Sequence, residues 1–130
     1  MFVTPLYAAV FALLYVMLAI NVIRFRLSEK VSLGDGGHSE LRKAVRIHAN
    51  FSEYVPLSLL LMWFLESMTF DTPLVFWLGA ILLLARVGHV VGMMHPKNFM
   101  IFRKIGVAMT LLVILVASIR LFLHYLPVVI

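Results

Sequence analysis

The sequence predicts an all-α integral membrane protein built as a four-helix bundle. Its mean hydropathy is +1.04, and only 13% of its 130 residues are charged, against about 25% in ordinary soluble domains. Four apolar windows lie at about residues 5–23, 45–65, 73–94 and 105–126. Each window is close to the ~20 residues that a helix needs to cross a hydrocarbon core. We therefore expect one transmembrane domain over residues 1–130 and exclude a water-soluble globule.

The loops between the windows differ in charge, and this difference predicts the orientation of the bundle. The connection at residues 66–72 has no lysine or arginine, whereas the other two connections are basic. Their cations are Arg24, Arg26, Lys30, Arg42, Lys43 and Arg46 in the first, and Lys97, Arg103 and Lys104 in the third. The positive-inside rule then places both basic loops in the cytoplasm and both termini on the other side of the membrane.

The loop before the second window predicts where the second helix begins. Asp35-Gly36-Gly37 is typical of a turn that needs positive φ. Ser39, followed by good helix formers, suits a helix N-terminus. We therefore expect the second helix to begin in the aqueous phase. A phosphate-binding loop is disfavoured, because the glycines match neither the P-loop nor the dinucleotide-binding spacing.

A stripe of polar residues runs along the start of the second window. Arg46, Asn50 and Glu53 are spaced i, i+4 and i+7, which places them on one helix face. Tyr54 lies at the edge of this face, whereas His48 points to the opposite side. The second helix is thus expected to present polar groups to something other than lipid.

The third window repeats this pattern with Arg86, His89 and Met93. A charge at mid-helix costs about 2.5–3.5 kcal/mol on insertion scales, so we expect Glu53 and Arg86 to pair with each other or to line a wet cavity. Taken alone, such a pair is favoured as an architectural contact that fixes helix register. His48 and His89 are interpreted as packing residues, and the spacing predicts no metal site.

The distribution of the cations favours a ligand-binding site over a purely architectural role for the polar residues. They are concentrated at the cytoplasmic end, above the polar stripe, and this distribution indicates an anionic ligand with an apolar companion. The members of this group are Arg24, Arg26, Arg42, Lys43, Arg46, Arg103 and Lys104.

These residues resemble a known family. The segment GDGGHSELRKAVRIHANFSEYVPLSLLLMWFLE and the later ARVGHVVGM are similar to the bacterial branch of the MAPEG family, the membrane-associated proteins in eicosanoid and glutathione metabolism. The resemblance covers essentially the whole chain, and its core is an R-x-x-x-N-x-x-E-Y-x-P signature that begins at Arg46 and ends at Pro56. It implies a homotrimer of four-helix protomers, with glutathione as co-substrate bound between protomers near the cytoplasmic face of the inner membrane.

The resemblance also implies roles for individual residues. Glutathione is expected to contact Arg46, Asn50, Glu53 and Tyr54, with Arg24 or Arg26 in support and with Arg86 and His89 in the same binding set. Arg103 or Lys104 is expected to stabilise the thiolate as the catalytic cation. Where glutathione-using members often have tyrosines after the third-span arginine, this chain has His89 and Met93, and that departure weakens the match.

The sequence then predicts a glutathione-dependent transferase or peroxidase. The chain has no cysteine, so the thiol must come from the ligand. The second substrate is expected to be a small apolar electrophile or a lipid hydroperoxide from the bilayer, and no nucleic acid is expected as a partner. The alternative of the same family is a non-catalytic scaffold or lipid-binding protein. A small proton-coupled exporter is disfavoured because residues 1–26 contain no carboxylate, and a haem protein using two of His48, His89 and His124 is disfavoured further.

Overall fold

The computed structural model describes residues 2–130, apart from the side chains of Pro96 and Asn98. Every regular element in this part of the chain is an α-helix. The four helices are α1 (Thr4–Glu29), α2 (Ser39–Thr69), α3 (Thr72–Met94) and α4 (Pro96–Val129). Short connections make successive helices antiparallel, so α2 and α4 run in the same direction. The predicted all-α four-helix fold is confirmed.

Three of these helices are long and apolar enough to cross a membrane: α1, α3 and the part of α4 from Phe99 onward. The fourth, α2, has 31 residues and is long enough, but its polar stripe makes it less apolar than the others. It packs against α1, α3 and α4, so part of its polar stripe has protein neighbours. The helix with the weakest membrane signal thus contacts all three others, as α3 also does.

The long loop between α1 and α2 has the predicted turn geometry. Gly36 and Gly37 have φ of 57° and 82°, a backbone region that strains residues with a Cβ. Helix α2 begins at Ser39, as predicted. The residue before it, His38, is the N-cap and makes no side-chain capping bond.

The connection between α2 and α3 is shorter than predicted, because α2 continues to Thr69. It consists of Phe70 and Asp71. Asp71 accepts a hydrogen bond from the Leu74 amide at 3.3 Å and caps α3. Its other carboxylate oxygen lies 3.3 Å from Arg120 on α4. The extension of α2 places Glu66, which the charge pattern assigns to the loop, inside the helix.

Glu66 caps the N-terminus of α1. Its side chain is fully buried and accepts the backbone N–H groups of Val3 at 2.7 Å and Thr4 at 2.8 Å. The first N–H groups of a helix have no partner within the helix, and a carboxylate there also interacts favourably with the helix dipole. One side chain of α2 therefore holds the start of α1.

The hydrophobic core lies along α2 and α3, with one face of α1 and one of α4 packed against it. Its most buried members are Phe11, Phe51, Val55, Met62, Leu65, Val75, Leu82, Val113 and Ala117. The outward faces of α1 and α4 expose leucine, isoleucine, phenylalanine and valine side chains, as lipid-facing helices do. The polar residues of α2 and α3 are then the groups to which lipid offers no hydrogen-bond partner.

Helices α3 and α4 approach each other closely at two glycines. A Cβ on Gly106 would lie 2.5 Å from the Ala85 carbonyl oxygen and 2.9 Å from His89 Cβ. A Cβ on Gly92 would overlap the backbone of Arg103. Small residues allow membrane helices to pack at short range, so these positions set the spacing of the α3–α4 hairpin.

Candidate functional site

Arg86 is the centre of the polar cluster. It is 2% exposed and lies on α3 between α2 and α4. Its Nη1 donates to Asn50 Oδ1 at 2.9 Å, and its Nη2 donates to the Gly106 carbonyl oxygen at 3.4 Å. Its Cζ lies 5.9 Å from the centre of the Tyr54 ring, within cation–π range. One guanidinium thus joins three helices.

The expected Glu53–Arg86 pair is wrong: Arg86 bonds to Asn50, one turn earlier on the same stripe. Phe51 and Val55 point into the core at 4% and 2% exposure, and this rotation of α2 turns Glu53 outward. Glu53 is exposed on the single chain. A carboxylate in a membrane helix is costly where it meets lipid, and among the described residues no cation lies within 4.0 Å of Glu53.

Arg46 lies on the same face of α2 as Asn50 and is also exposed. Asn50 is half-buried, since its oxygen side faces Arg86. The stripe therefore changes from an exposed cation at Arg46 to a half-buried amide at Asn50. An anionic ligand at this face would meet the cation and the amide together.

The predicted catalytic cations lie on the first turns of α4. Arg103 and Lys104 are exposed and line a cleft of about 490 Å³ with Met100 and Val107. Arg46 is four residues before Asn50, and Arg103 is three residues before Gly106. Because α2 and α4 run in the same direction and Arg86 connects Asn50 to Gly106, Arg46 and Arg103 lie at the same end of the bundle.

His89 is not placed to meet a ligand at this surface. It is 4% exposed and packs against α4, where its Cβ is close to Gly106. His48 lies on a different interface, with its ring centre 4.8 Å from that of Tyr15 on α1. Among the residues that the structure describes, no group of three histidines or acidic residues is arranged to hold a metal ion.

The two arginines at the end of α1 differ in their contacts. Arg26 donates to the Gly34 carbonyl oxygen at 2.9 Å and to that of Val31 at 3.4 Å, so it holds the loop. Arg24 is exposed and lines a shallow cleft with Asn21 and Ser28. Of these two, Arg24 is the arginine whose side chain is available to an external ligand.

Part of the positive charge near the loop is already neutralised. Arg42 donates to the Asp35 carboxylate, and Lys43 lies 2.9 Å from Glu40. The bond from Arg42, together with one from the Gly37 amide, lowers the pKa of Asp35 below its ordinary value. In the described part of the chain, no acidic side chain lies within 4.0 Å of Arg46, Arg103 or Lys104, so none of these three cations forms an ion pair there.

Sequence reasoning missed two contributors to this site. The Gly106 carbonyl oxygen accepts from both Arg86 and the Thr110 hydroxyl, the latter at 2.8 Å. Every residue type carries a backbone carbonyl, so the sequence does not show which one acts as an acceptor. The available signal is glycine itself, because Gly92 and Gly106 mark a close contact between two apolar helices.

The long apolar helices define an integral membrane protein with a buried polar cluster between α2, α3 and α4. The chain belongs to the MAPEG family, whose model matches residues 4–123. It is 42% identical over 93 residues to the inner membrane protein YecN of Escherichia coli K12, a match that covers 72% of this chain and 71% of that protein. A protein of the same name from Escherichia coli O6:H1 matches with the same identity and coverage. No solved structure matches the chain.

Proposed function

We propose that this protein is a membrane-bound glutathione-dependent transferase or peroxidase that acts on apolar electrophiles or lipid hydroperoxides. The family includes glutathione-related members. The observation that carries the proposal is that Arg46 and Arg103, neither with an acidic partner among the described residues, lie at the same end of the bundle. Arg46 also shares a face of α2 with the half-buried amide of Asn50. Glutathione brings two carboxylates, two peptide groups and a thiol to such a surface.

The proposed chemistry begins with the thiol. A thiol of pKa near 8.5 is only roughly a few per cent thiolate at pH 7, so a cation beside the sulfur raises the reactive fraction. Arg103 supplies that cation in the proposal, with Lys104 as the neighbouring candidate. The thiolate then attacks an electrophilic carbon, forms the carbon–sulfur bond and expels a leaving group with its electron pair. With a hydroperoxide, the thiolate attacks the terminal oxygen, so that an S–O bond forms and the O–O bond breaks, and the lipid leaves as an alcohol once protonated. The resulting glutathione sulfenic acid reacts with a second glutathione to give the disulfide and water.

We further propose that the site is completed in a homotrimer. Glu53 and Arg46 are exposed on the single chain although both lie on a helix packed within a membrane bundle. A neighbouring protomer would cover Glu53 and bring a second set of side chains to Arg46. The number three is taken from the family resemblance. Glu53 in this arrangement meets either the ligand's ammonium group or a cation of the adjacent copy.

The proposed location is the inner membrane, with both termini outside the cytoplasm and the site on the cytoplasmic side. It is supported by the YecN relatives, which are inner membrane proteins, and by the basic first and third loops. We expect a periplasm-active reporter fused after Ile130 to be active. A reporter that is active only in the cytoplasm should remain silent there. The reverse pair of signals would overturn this topology.

Glutathione binding by the detergent-solubilised protein tests the proposal most directly. Isothermal calorimetry should give a saturable isotherm with glutathione, and turnover of an apolar model electrophile should depend on it. Binding without turnover of any electrophile or hydroperoxide would support a binding role in place of catalysis. A protein that binds no glutathione would be assigned instead to the non-catalytic alternative.

Binding and activation should separate in two variants. Arg46→Ala is expected to weaken glutathione affinity by roughly 1.5–3 kcal/mol, the value of a charge-assisted hydrogen bond, because it removes a contact made in the ground state and transition state alike. Arg103→Ala should keep most of the affinity but lower kcat about tenfold or more, since the sulfur loses the cation that favours its thiolate.

The measurements are calorimetry, steady-state kinetics and the ultraviolet absorbance of the bound thiolate. Arg120→Ala is the matched control, because it deletes a cation at the opposite end of α4 and should change neither affinity nor kcat. If Arg103→Ala keeps the parental kcat and thiolate absorbance, the catalytic role passes to Lys104 or the thiolate mechanism is rejected.

A further inference from the structure

We propose that Arg86 is a positioning residue, which turns the Asn50 amide so that its nitrogen is presented to the ligand as a hydrogen-bond donor. The same guanidinium fixes the segment of α4 that carries Arg103 relative to this amide. The inference rests on the proposed function for the identity of the ligand, glutathione. It gives Arg86 a role different from the direct contact expected from the sequence.

Burial rules out a direct contact between Arg86 and a ligand at this surface. The side chain is 2% exposed, and its Nη1 and Nη2 are bonded to Asn50 and Gly106. Its Nε is buried and has no hydrogen-bond partner among the described residues. Arg86 therefore acts through the groups it holds.

The orientation of the Asn50 amide follows from the chemistry of arginine. A guanidinium has five N–H donors and no acceptor, so only the amide oxygen of Asn50 can face it favourably. With Oδ1 held at 2.9 Å from Nη1, the Nδ2 group is directed away from Arg86. In the part of the chain that the structure describes, Nδ2 donates to no partner, and Asn50 is half-buried on the stripe that carries Arg46. The Asn50 amide thus presents only its N–H donors to a ligand.

This orientation restricts the ligand group that Asn50 accepts. A carboxylate or a peptide carbonyl oxygen of glutathione can receive the Nδ2 hydrogens, whereas its ammonium group cannot. Arg46, four residues earlier on the same face, favours the same class of group. Arg86 therefore helps to select which end of glutathione lies against α2.

The second bond of Arg86 sets the position of α4. Its acceptor, the Gly106 carbonyl, is three residues from Arg103 and also accepts from Thr110. The glycine allows α4 to come within reach, because a Cβ there would overlap the backbone of α3. The distance between the Asn50 amide and the candidate catalytic cation is thereby fixed through a single buried side chain.

The first test concerns the amide oxygen and needs no ligand. Asn50→Asp keeps an oxygen facing Arg86, whereas Asn50→Leu removes it and leaves Nη1 unpaired. We expect the thermal midpoint of the Asn50→Asp variant in detergent to equal or exceed that of the parent, and that of the Asn50→Leu variant to fall. Equal losses in both variants would overturn the assignment of Oδ1 to Arg86.

The second test concerns the outward nitrogen. Asn50→Asp replaces the Nδ2 donor with an oxygen that only accepts and carries charge, so glutathione affinity should fall at least tenfold while the fold is kept. Ser67→Asp is the control, because it adds the same charge near the far end of α2 and should leave the affinity unchanged. An Asn50→Asp protein that is stable and binds glutathione like the parent would reject the positioning role.

The two tests separate this inference from the proposed function. A parent protein without glutathione affinity would reject glutathione as the ligand, and with it the selection that Asn50 exerts. The stability comparison would still decide whether Arg86 fixes the Asn50 oxygen. A purely architectural Arg86 predicts the first result without the second.

Discussion

Glu66→Ala is expected to be among the most destabilising single changes in this protein. The carboxylate is fully buried and holds the Val3 and Thr4 amides at 2.7 and 2.8 Å. Its loss leaves two N–H groups at the start of α1 without an acceptor. Hydrogen bonds to a charged group contribute about 1.5–3 kcal/mol each, and both are lost together. We expect the free energy of unfolding to fall by about 3 kcal/mol.

Two further variants serve as comparisons for the stability of Glu66→Ala. Glu66→Gln keeps one amide oxygen but removes the charge, so its loss should be intermediate. Glu40→Ala removes a carboxylate from the same helix whose partner, Lys43, lies at the surface, and its effect should stay within about 1 kcal/mol. Unfolding titrations in mixed micelles measure all three. Equal stability of Glu66→Ala and Glu40→Ala would refute the capping role.

Gly106→Ala is expected to have the second large effect. The added Cβ meets the Ala85 carbonyl oxygen at 2.5 Å and His89 Cβ at 2.9 Å, and these atoms belong to a packed helix that cannot yield locally. Overpacking of this kind costs about 1–3 kcal/mol, partly offset by the higher helix propensity of alanine. Separation of α3 from α4 should also lengthen the Arg86 bond to the Gly106 carbonyl, so turnover should fall with stability.

Gly88→Ala is the matched control on the same hairpin. Among the described residues, the neighbour of its Cβ within 4 Å is the Phe102 carbonyl oxygen at 3.9 Å, which is ordinary contact. Alanine should be tolerated or slightly stabilising there, by up to about 1 kcal/mol. Thermal midpoints and kcat values of the two variants test this prediction. A Gly106→Ala protein as stable as Gly88→Ala would mean that α3 and α4 are not in tight contact at Gly106.

The fold class was predictable because it depends on apolar length. Four windows of sufficient length in a chain with few charges leave little choice of architecture. The ends of the helices were less predictable, since they depend on local capping. The turn at Gly36 and Gly37 was recognised from residue types, whereas the continuation of α2 through Glu66 was not, because charge pattern alone suggested a loop.

The polar stripe was predictable from residue spacing, but the pairing of its members was not. Spacing at 100° per residue places Asn50 and Glu53 on one stripe, but it does not say how α2 is rotated about its axis. That rotation is set by Phe51 and Val55, which enter the core, and it brings Asn50 rather than Glu53 to Arg86. The cap formed by Glu66 was beyond sequence reasoning for a related reason: its partners are backbone amides more than 60 residues away.

The dependence of α2 on its neighbours bears on how the chain enters the membrane. During synthesis, α2 emerges before Arg86 exists, so Asn50 meets the translocon without the partner that the finished bundle provides. Helix α2, which is not among the three helices apolar enough to cross on composition, is then expected to complete its insertion only when the α3–α4 hairpin follows. Membrane insertion of α2 is thus coupled to the synthesis of the second half of the chain. The polar cluster forms after the lipid-facing helices are in place.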